Sequence, residues 1–158
     1  MRLKQLEITG FKSFARKAVF SFESPISSIV GPNGSGKSNV TEAIRFVLGE
    51  QSMKSLRGKR GEDLIWNGSG NTPRANFASV SISFDNHDRA FGLDFDEVEI
   101  RRTVSRDGVN QYFLNGSQVR LRDVFELLAQ VHVGASGHHI ISQGEADRIL
   151  NANIKDRR

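Results

Sequence analysis

Leu3, Leu6 and Ile8 stand among polar neighbours near the start of the chain, and Ala18, Phe20 and Phe22 alternate with Val19 and Ser21. A period of two puts one set of side chains on a common face, so both stretches are predicted strands. Pro25 breaks the second stretch. Ile26–Val30 is apolar enough to read as a buried strand, and it runs straight into a glycine-rich loop. Beyond the loop the period changes. Val40, Ala43, Ile44, Val47 and Leu48 fall at i, i+3, i+4, i+7 and i+8, the apolar stripe of a helix, and Gly49 supplies its stop.

Residues 50–76 are polar, rich in glycine and without a period that assigns them. Alternation returns at Ala78, Val80, Ile82 and Phe84, again at Val98 and Ile100, and once more from Tyr112 to Leu114. Asn115-Gly116 then favours a tight turn, because both residues tolerate the positive φ that such turns require. Leu121, Val124, Phe125 and Leu128 mark a second helix. Ile140-Ile141 reads as a short strand and Glu145–Leu150 as a short helix. The order predicts an α/β chain with several hairpin-like strands inserted after the first helix, and no internal repeat accompanies it.

Between the predicted strand and the first helix lies Gly31-Pro32-Asn33-Gly34-Ser35-Gly36-Lys37-Ser38, which fits G-x-x-x-x-G-K-[ST] at every position. Glycines let the backbone curl so that successive N–H groups face phosphate oxygens. The helix that follows adds its positive end. Lys37 supplies a mobile point charge for the β and γ phosphates, and Ser38 a hydroxyl for Mg²⁺. These residues predict ATP binding with Mg²⁺.

A hydrolase of this class also needs an apolar strand ending in a carboxylate that holds the magnesium shell. Neither Leu93–Asp96 nor Leu127–Val133 meets that description, and there is no LSGG-like segment. The polar, uncapped end at Ile154–Arg158 reads as cut off. Two alternatives follow: a nucleotide-binding module that does not hydrolyse, or one part of a split catalytic unit.

Composition narrows the chemistry further. The chain has 158 residues and no cysteine, which excludes disulfides and thiolate metal sites. No apolar run approaches the ~18 residues of a membrane span, and the first residues do not form a signal peptide. His138 and His139 are adjacent, so in a strand they point apart, and no third ligand accompanies them.

Five further segments, in order, resemble the amino-terminal head segment of prokaryotic SMC (structural maintenance of chromosomes) proteins. They are Gly10-Phe11-Lys12-Ser13-Phe14, Ser38–Ile44 continuing the phosphate loop, Leu48-Gly49-Glu50-Gln51-Ser52, Ser55-Leu56-Arg57-Gly58 and Ile140-Ile141-Ser142-Gln143-Gly144. The resemblance implies an ABC-type P-loop fold, half of a split head, with a mixed sheet and an antiparallel β-subdomain. Residues 1–150 would form the amino-terminal lobe, and 151–158 would start a coiled-coil neck. The carboxy-terminal half of the head would bring the signature motif, the carboxylate strand and the catalytic glutamate. Gln143 would join Ser38 around Mg²⁺ and orient the attacking water, and Arg57 would couple DNA or head engagement to hydrolysis. Lys12, Ser13 and Phe14 would lie against the nucleotide beside Pro32–Asn39. Implied partners are the other half of the head, a second SMC head, a kleisin and double-stranded DNA, in the cytoplasm on the nucleoid, with no membrane. A split-head DNA-repair ATPase is the related alternative, against which the Leu48–Gln51 and Ser55–Gly58 segments count.

Lys and Arg number 22 against 18 Asp and Glu, a net charge of +4. The positive charge is grouped: Lys54, Arg57, Lys59 and Arg60; Arg101, Arg102 and Arg106; Arg120 and Arg122. No aromatic ladder interleaves these groups, so contact with a duplex backbone suits them better than stacking on a single strand. The resemblance places Arg57, Arg60, Arg120 and Arg122 on the DNA-facing surface.

Overall fold

The structure is a computed structural model and describes residues 1–24, 27–32, 36–53, 56, 58 and 60–131. In chain order the elements are β1 (Arg2–Thr9), β2 (Ala18–Ser21), α1 (Lys37–Val47), a 3₁₀ turn (Gly61–Leu64), β3 (Phe77–Asp85), β4 (Glu97–Ser105), β5 (Asn110–Leu114), β6 (Ser117–Val119) and α2 (Leu121–Gln130). The strands form one six-stranded sheet in the order β2-β1-β3-β4-β5-β6. Every neighbouring pair is antiparallel. This is the expected antiparallel β-subdomain; the described residues contain no parallel pair.

Alternation sets the register. Leu6 lies opposite Ile82 and Ile82 opposite Ile100, while Ile8 lies opposite Val80. These side chains share the face on which α1 lies. Val40, Ala43, Phe46 and Val47 of α1 are buried there, and the Phe46 ring meets Phe11 at 5.3 Å between centroids. The central strand β3 is covered on both faces, since Ser81 and Ser83 are buried along with Val80 and Ile82. The predicted turn forms as read: Asn115 and Gly116 take φ 46° and 83° between β5 and β6.

The loop from β3 to β4 is organised by Asn86, which is wholly buried. Its amide donates to the Leu93 and Phe95 carbonyls at 3.1 and 2.8 Å, and its oxygen accepts from the Phe91 N–H at 3.2 Å. One side chain thus satisfies three backbone groups that the loop would otherwise strand.

Several expectations are corrected. Residues 27–30 form no strand, and Ile29 and Val30 are 41% and 88% exposed. A strand requires a hydrogen-bonded neighbour, and the described residues provide none beside this segment. The stripe on α1 is also wider than the period suggested. Phe46, Glu42 and Arg45 are buried, whereas Ile44 is only partly covered. On α2 the covered positions are Val124, Leu127 and Leu128, and Phe125 is 38% exposed. In the unassigned stretch, Leu56, Leu64 and Ile65 are core residues. The strand and helix expected at 140–150 lie outside the described residues.

Candidate phosphate-binding site

Helix α1 begins without a side-chain cap. Gly36 is its N-cap residue at φ 94°, and no acidic residue lies in the first turn. A helix start leaves several N–H groups without intrahelical partners, and their partial positive charge is normally met by a capping oxygen or a carboxylate. Here the Asn39 N–H closes a turn onto the Gly36 carbonyl at 3.0 Å, and the side chains at the rim are Lys37, half-buried, and Ser38, exposed. The donor set suits an anion. Pro32 is exposed ahead of it, and Asn33, Gly34 and Ser35 lie outside the described residues.

The turn at residues 10–14 is held against this loop. Position 10 requires glycine, because φ is 65° and a Cβ there would come within 2.4 Å of the Phe77 carbonyl oxygen. The Lys12 N–H donates to Leu64 and the Trp66 N–H to Gly10, at 2.9 and 2.7 Å. Ser13 Oγ then accepts from the Asn39 amide at 2.8 Å. A Cβ on Gly36 would meet that same oxygen at 3.0 Å and the Phe14 ring at 3.9 Å. Ser13, Phe14, Gly36 and Asn39 are therefore gathered at the start of α1.

Lys12 has its own partners on the neighbouring elements. With φ 48° its side chain turns under α1, where its ammonium donates to the Glu42 carboxylate and the Leu56 carbonyl. It ties the turn, the helix and the following loop together. Mg²⁺ keeps several waters and takes few protein ligands when phosphates are present. The Ser38 hydroxyl on the first turn of α1 fits that demand, and the described residues hold no cluster of three acidic or histidine ligands. Gln143 and Arg57 lie outside the described residues, as do His138 and His139.

The expected basic surface divides. Arg120 and Arg122 stand at the start of α2, the positive end of that helix, where basic side chains are locally unfavourable. Asp123 and Glu126 offset them, with Arg120 to Asp123 at 3.3 Å and Arg122 to Glu126 at 3.5 Å. The Asp123 carboxylate accepts the Arg120 backbone N–H at 2.9 Å, and this bond, with the Arg120 side chain, holds its pKa below the ordinary value. Arg60 is exposed at the head of the 3₁₀ turn. Arg102 and Arg106, read as part of the positive surface, are structural instead. Arg106 donates to the Ala75 and Trp66 carbonyls at 2.8 and 3.0 Å. Arg102 is 5% exposed, in register with Val80 and Tyr112 on the face that carries α1. Burial lowers its pKa from the ordinary value. Its phase was the available signal, for it continues Val98 and Ile100 along the inward side of β4.

The profile of the RecF/RecN/SMC N terminal domain matches residues 2–147. Over all 158 residues the chain is 48% identical to the chromosome partition protein Smc of Lactiplantibacillus plantarum, covering 13% of that protein. The chain belongs to the SMC family. Its fold is that of SMC heads: all of it superimposes on 96% of a chain from a study of ATP-driven dimerization and DNA stimulated activation of SMC ATPases, with TM-score 0.94 and 40% identity. It also superimposes, with TM-score 0.91 and 42% identity, on the Smc head domain of Pyrococcus furiosus, a structure with an extended coiled coil bound to the C-terminal domain of ScpA. That match covers 96% of this chain and 38% of the other. This SMC chain spans about 13% of the length of the curated relatives it matches.

Proposed function

We propose that this chain is the ATP-binding half of a split SMC head, acting in chromosome segregation through ATP-driven head engagement. The uncapped, glycine-led start of α1, inside a complete G-x-x-x-x-G-K-S motif, carries this reading. Lys37 and the first N–H groups of α1 would hold the phosphates. Ser38, with Gln143, would hold Mg²⁺, which supplies charge neutralisation at the β and γ oxygens. Arg57 would relay engagement to the site. The exposed Ile29 and Val30 support a missing strand neighbour from the carboxy-terminal half. A second head would close over the γ-phosphate, a kleisin would join the assembly, and duplex DNA would lie on Arg57, Arg60, Arg120 and Arg122. Catalysis then consists of positioning and charge stabilisation. Among the described residues no helix is long and apolar enough to cross a membrane. The place of action would be the nucleoid, in the cytoplasm.

ATP turnover tests the reading. The chain alone should be inactive, and joining it to the carboxy-terminal head segment should give turnover that Lys37→Ala abolishes. Lys37-dependent turnover by the isolated chain would show a complete site and overturn the split-head proposal. ATP binding unaffected by Lys37→Ala would overturn the phosphate-loop assignment.

A further inference from the structure

The far end of α1 is held by a buried cation. Arg102 Nη1 donates to the carbonyls of Phe46 and Glu50 at 2.9 and 2.8 Å. Its Nε donates to Asn110 Oδ1 at 3.0 Å. The guanidinium carbon lies 4.2 Å from the centre of the Phe46 ring and 5.1 Å from that of Tyr112. Beside it the Gln51 amide donates to the Tyr112 hydroxyl at 3.1 Å and to the Gly49 carbonyl at 2.8 Å.

An apolar side chain would suit this row of the sheet at less cost, because a buried charge forfeits its hydration. What the guanidinium adds is direction. It is planar and rigid, and it meets the carbonyls at the negative end of α1, where a cation is favoured. Two backbone carbonyls, one on the last turn and one just past it, restrict both sliding and rotation of the helix against β4 and β5.

The eleven residues of α1 span roughly 16 Å, and their opposite end is the loop at Gly36–Ser38. A helix this short moves as a rod, so a shift at Phe46 reappears at Lys37. Phosphate contacts are sensitive to displacements of about 1 Å. We propose that Arg102 is a positioning residue for the phosphate loop: by gripping the Phe46 and Glu50 carbonyls it sets the axial seat of α1. This rests on the reading that Gly31–Ser38 binds phosphates.

The test uses the full-length protein, with affinity for a fluorescent ATP analogue and melting temperature measured on each variant. Arg102→Met keeps an unbranched stem but removes every donor. Arg102→Lys keeps the charge without the fork. Leu128→Ala, at a buried position of α2, serves as a destabilised variant that keeps every donor and acceptor of the grip. The proposal expects Arg102→Met to weaken nucleotide affinity at least tenfold, Arg102→Lys to recover part of it, and Leu128→Ala to lower the melting temperature with affinity unchanged. Arg102→Met with a lowered melting temperature and unaltered affinity would reduce Arg102 to a packing residue and overturn the proposal. If Arg102→Met does not fold, Arg102→Lys decides by the same comparison. Lys37→Ala in the same assay separates the two ideas, since unchanged affinity there removes the phosphate loop itself.

Discussion

Gly49 offers the sharpest energetic test of the packing. It follows the end of α1 at φ 101°, where its N–H donates to Phe46 and the Glu50 N–H donates to Arg45, at 3.1 and 3.0 Å. This pair of bonds is the Schellman arrangement, which needs a left-handed residue. Gly49→Ala therefore costs about 1–2 kcal/mol in backbone strain alone. The new methyl would also stand 2.5 Å from Phe125 Cε1 and 3.3 Å from Leu121 Cδ1. Overpacking of that kind costs about 1–3 kcal/mol, and the half-exposed Phe125 can swing outward, which favours the lower part of the range. The two effects sum to about 2–5 kcal/mol. Urea unfolding of the chain joined to the carboxy-terminal head segment is the assay, and fluorescence of Trp66, this chain's single tryptophan, reports on the lobe. At about 3 kcal/mol per molar urea, the upper end of the range and the one suited to a unit of this size, the midpoint should fall by roughly 0.7–1.7 M. The decisive comparison is Phe125→Ala with and without Gly49→Ala. The backbone cost and the milder approach to Leu121 should remain in that background, leaving a coupling of about 1–3 kcal/mol. Equal losses in both backgrounds would refute the steric argument, and a loss below about 1 kcal/mol would refute the backbone argument too.

Two further outcomes are expected. Asp123 has a pKa lowered from 3.8 by the Arg120 N–H and side chain, so its contribution is complete above that value and is lost as pH falls through the lower folded value. Asp123→Ala should accordingly lower the melting temperature at pH 7, with the gap to the parent closing as pH falls below 3.8, and a gap unchanged at pH 3 would show that the bond does not depend on the charge. Replacing Arg60, Arg120 and Arg122 with Gln should weaken duplex binding and reduce the slope of log affinity against log salt by about 1–3, and a constant slope would place the DNA contacts elsewhere.

The strands and helices that carry this lobe were legible because each buries one face, and burial on one face writes a period into the chain. β1, β3, β4 and the stripe on α1 all follow that rule, and Asn115-Gly116 announced its turn. Leu56, Leu64 and Ile65 escaped notice because they enter the core singly, from a glycine-rich stretch with no repeat. Ile26–Val30 misled for a different reason: an apolar run declares that it will be covered, but not by which part of the protein. At the site, the motif singled out Gly36, Lys37 and Ser38, and the resemblance added Asn39. The pairing of Lys12 with Glu42 did not, because it joins residues 30 positions apart whose proximity depends on how α1 lies on the sheet. Arg102 was hidden by its charge, which invites a surface assignment, although its place in the β4 alternation argued otherwise.

The exposure of Ile29 and Val30 bears on how such a lobe comes into being. In a chain completed to the length of its relatives, on the order of a thousand residues remain to be made after this lobe leaves the ribosome. At about 5–20 residues per second that interval lasts roughly one to three minutes. On the split-head reading, the exposed segment at Ile29 and Val30 would wait throughout that interval for its partner. Polysomes, which hold such lobes close together, are where two such uncovered apolar segments would meet most often.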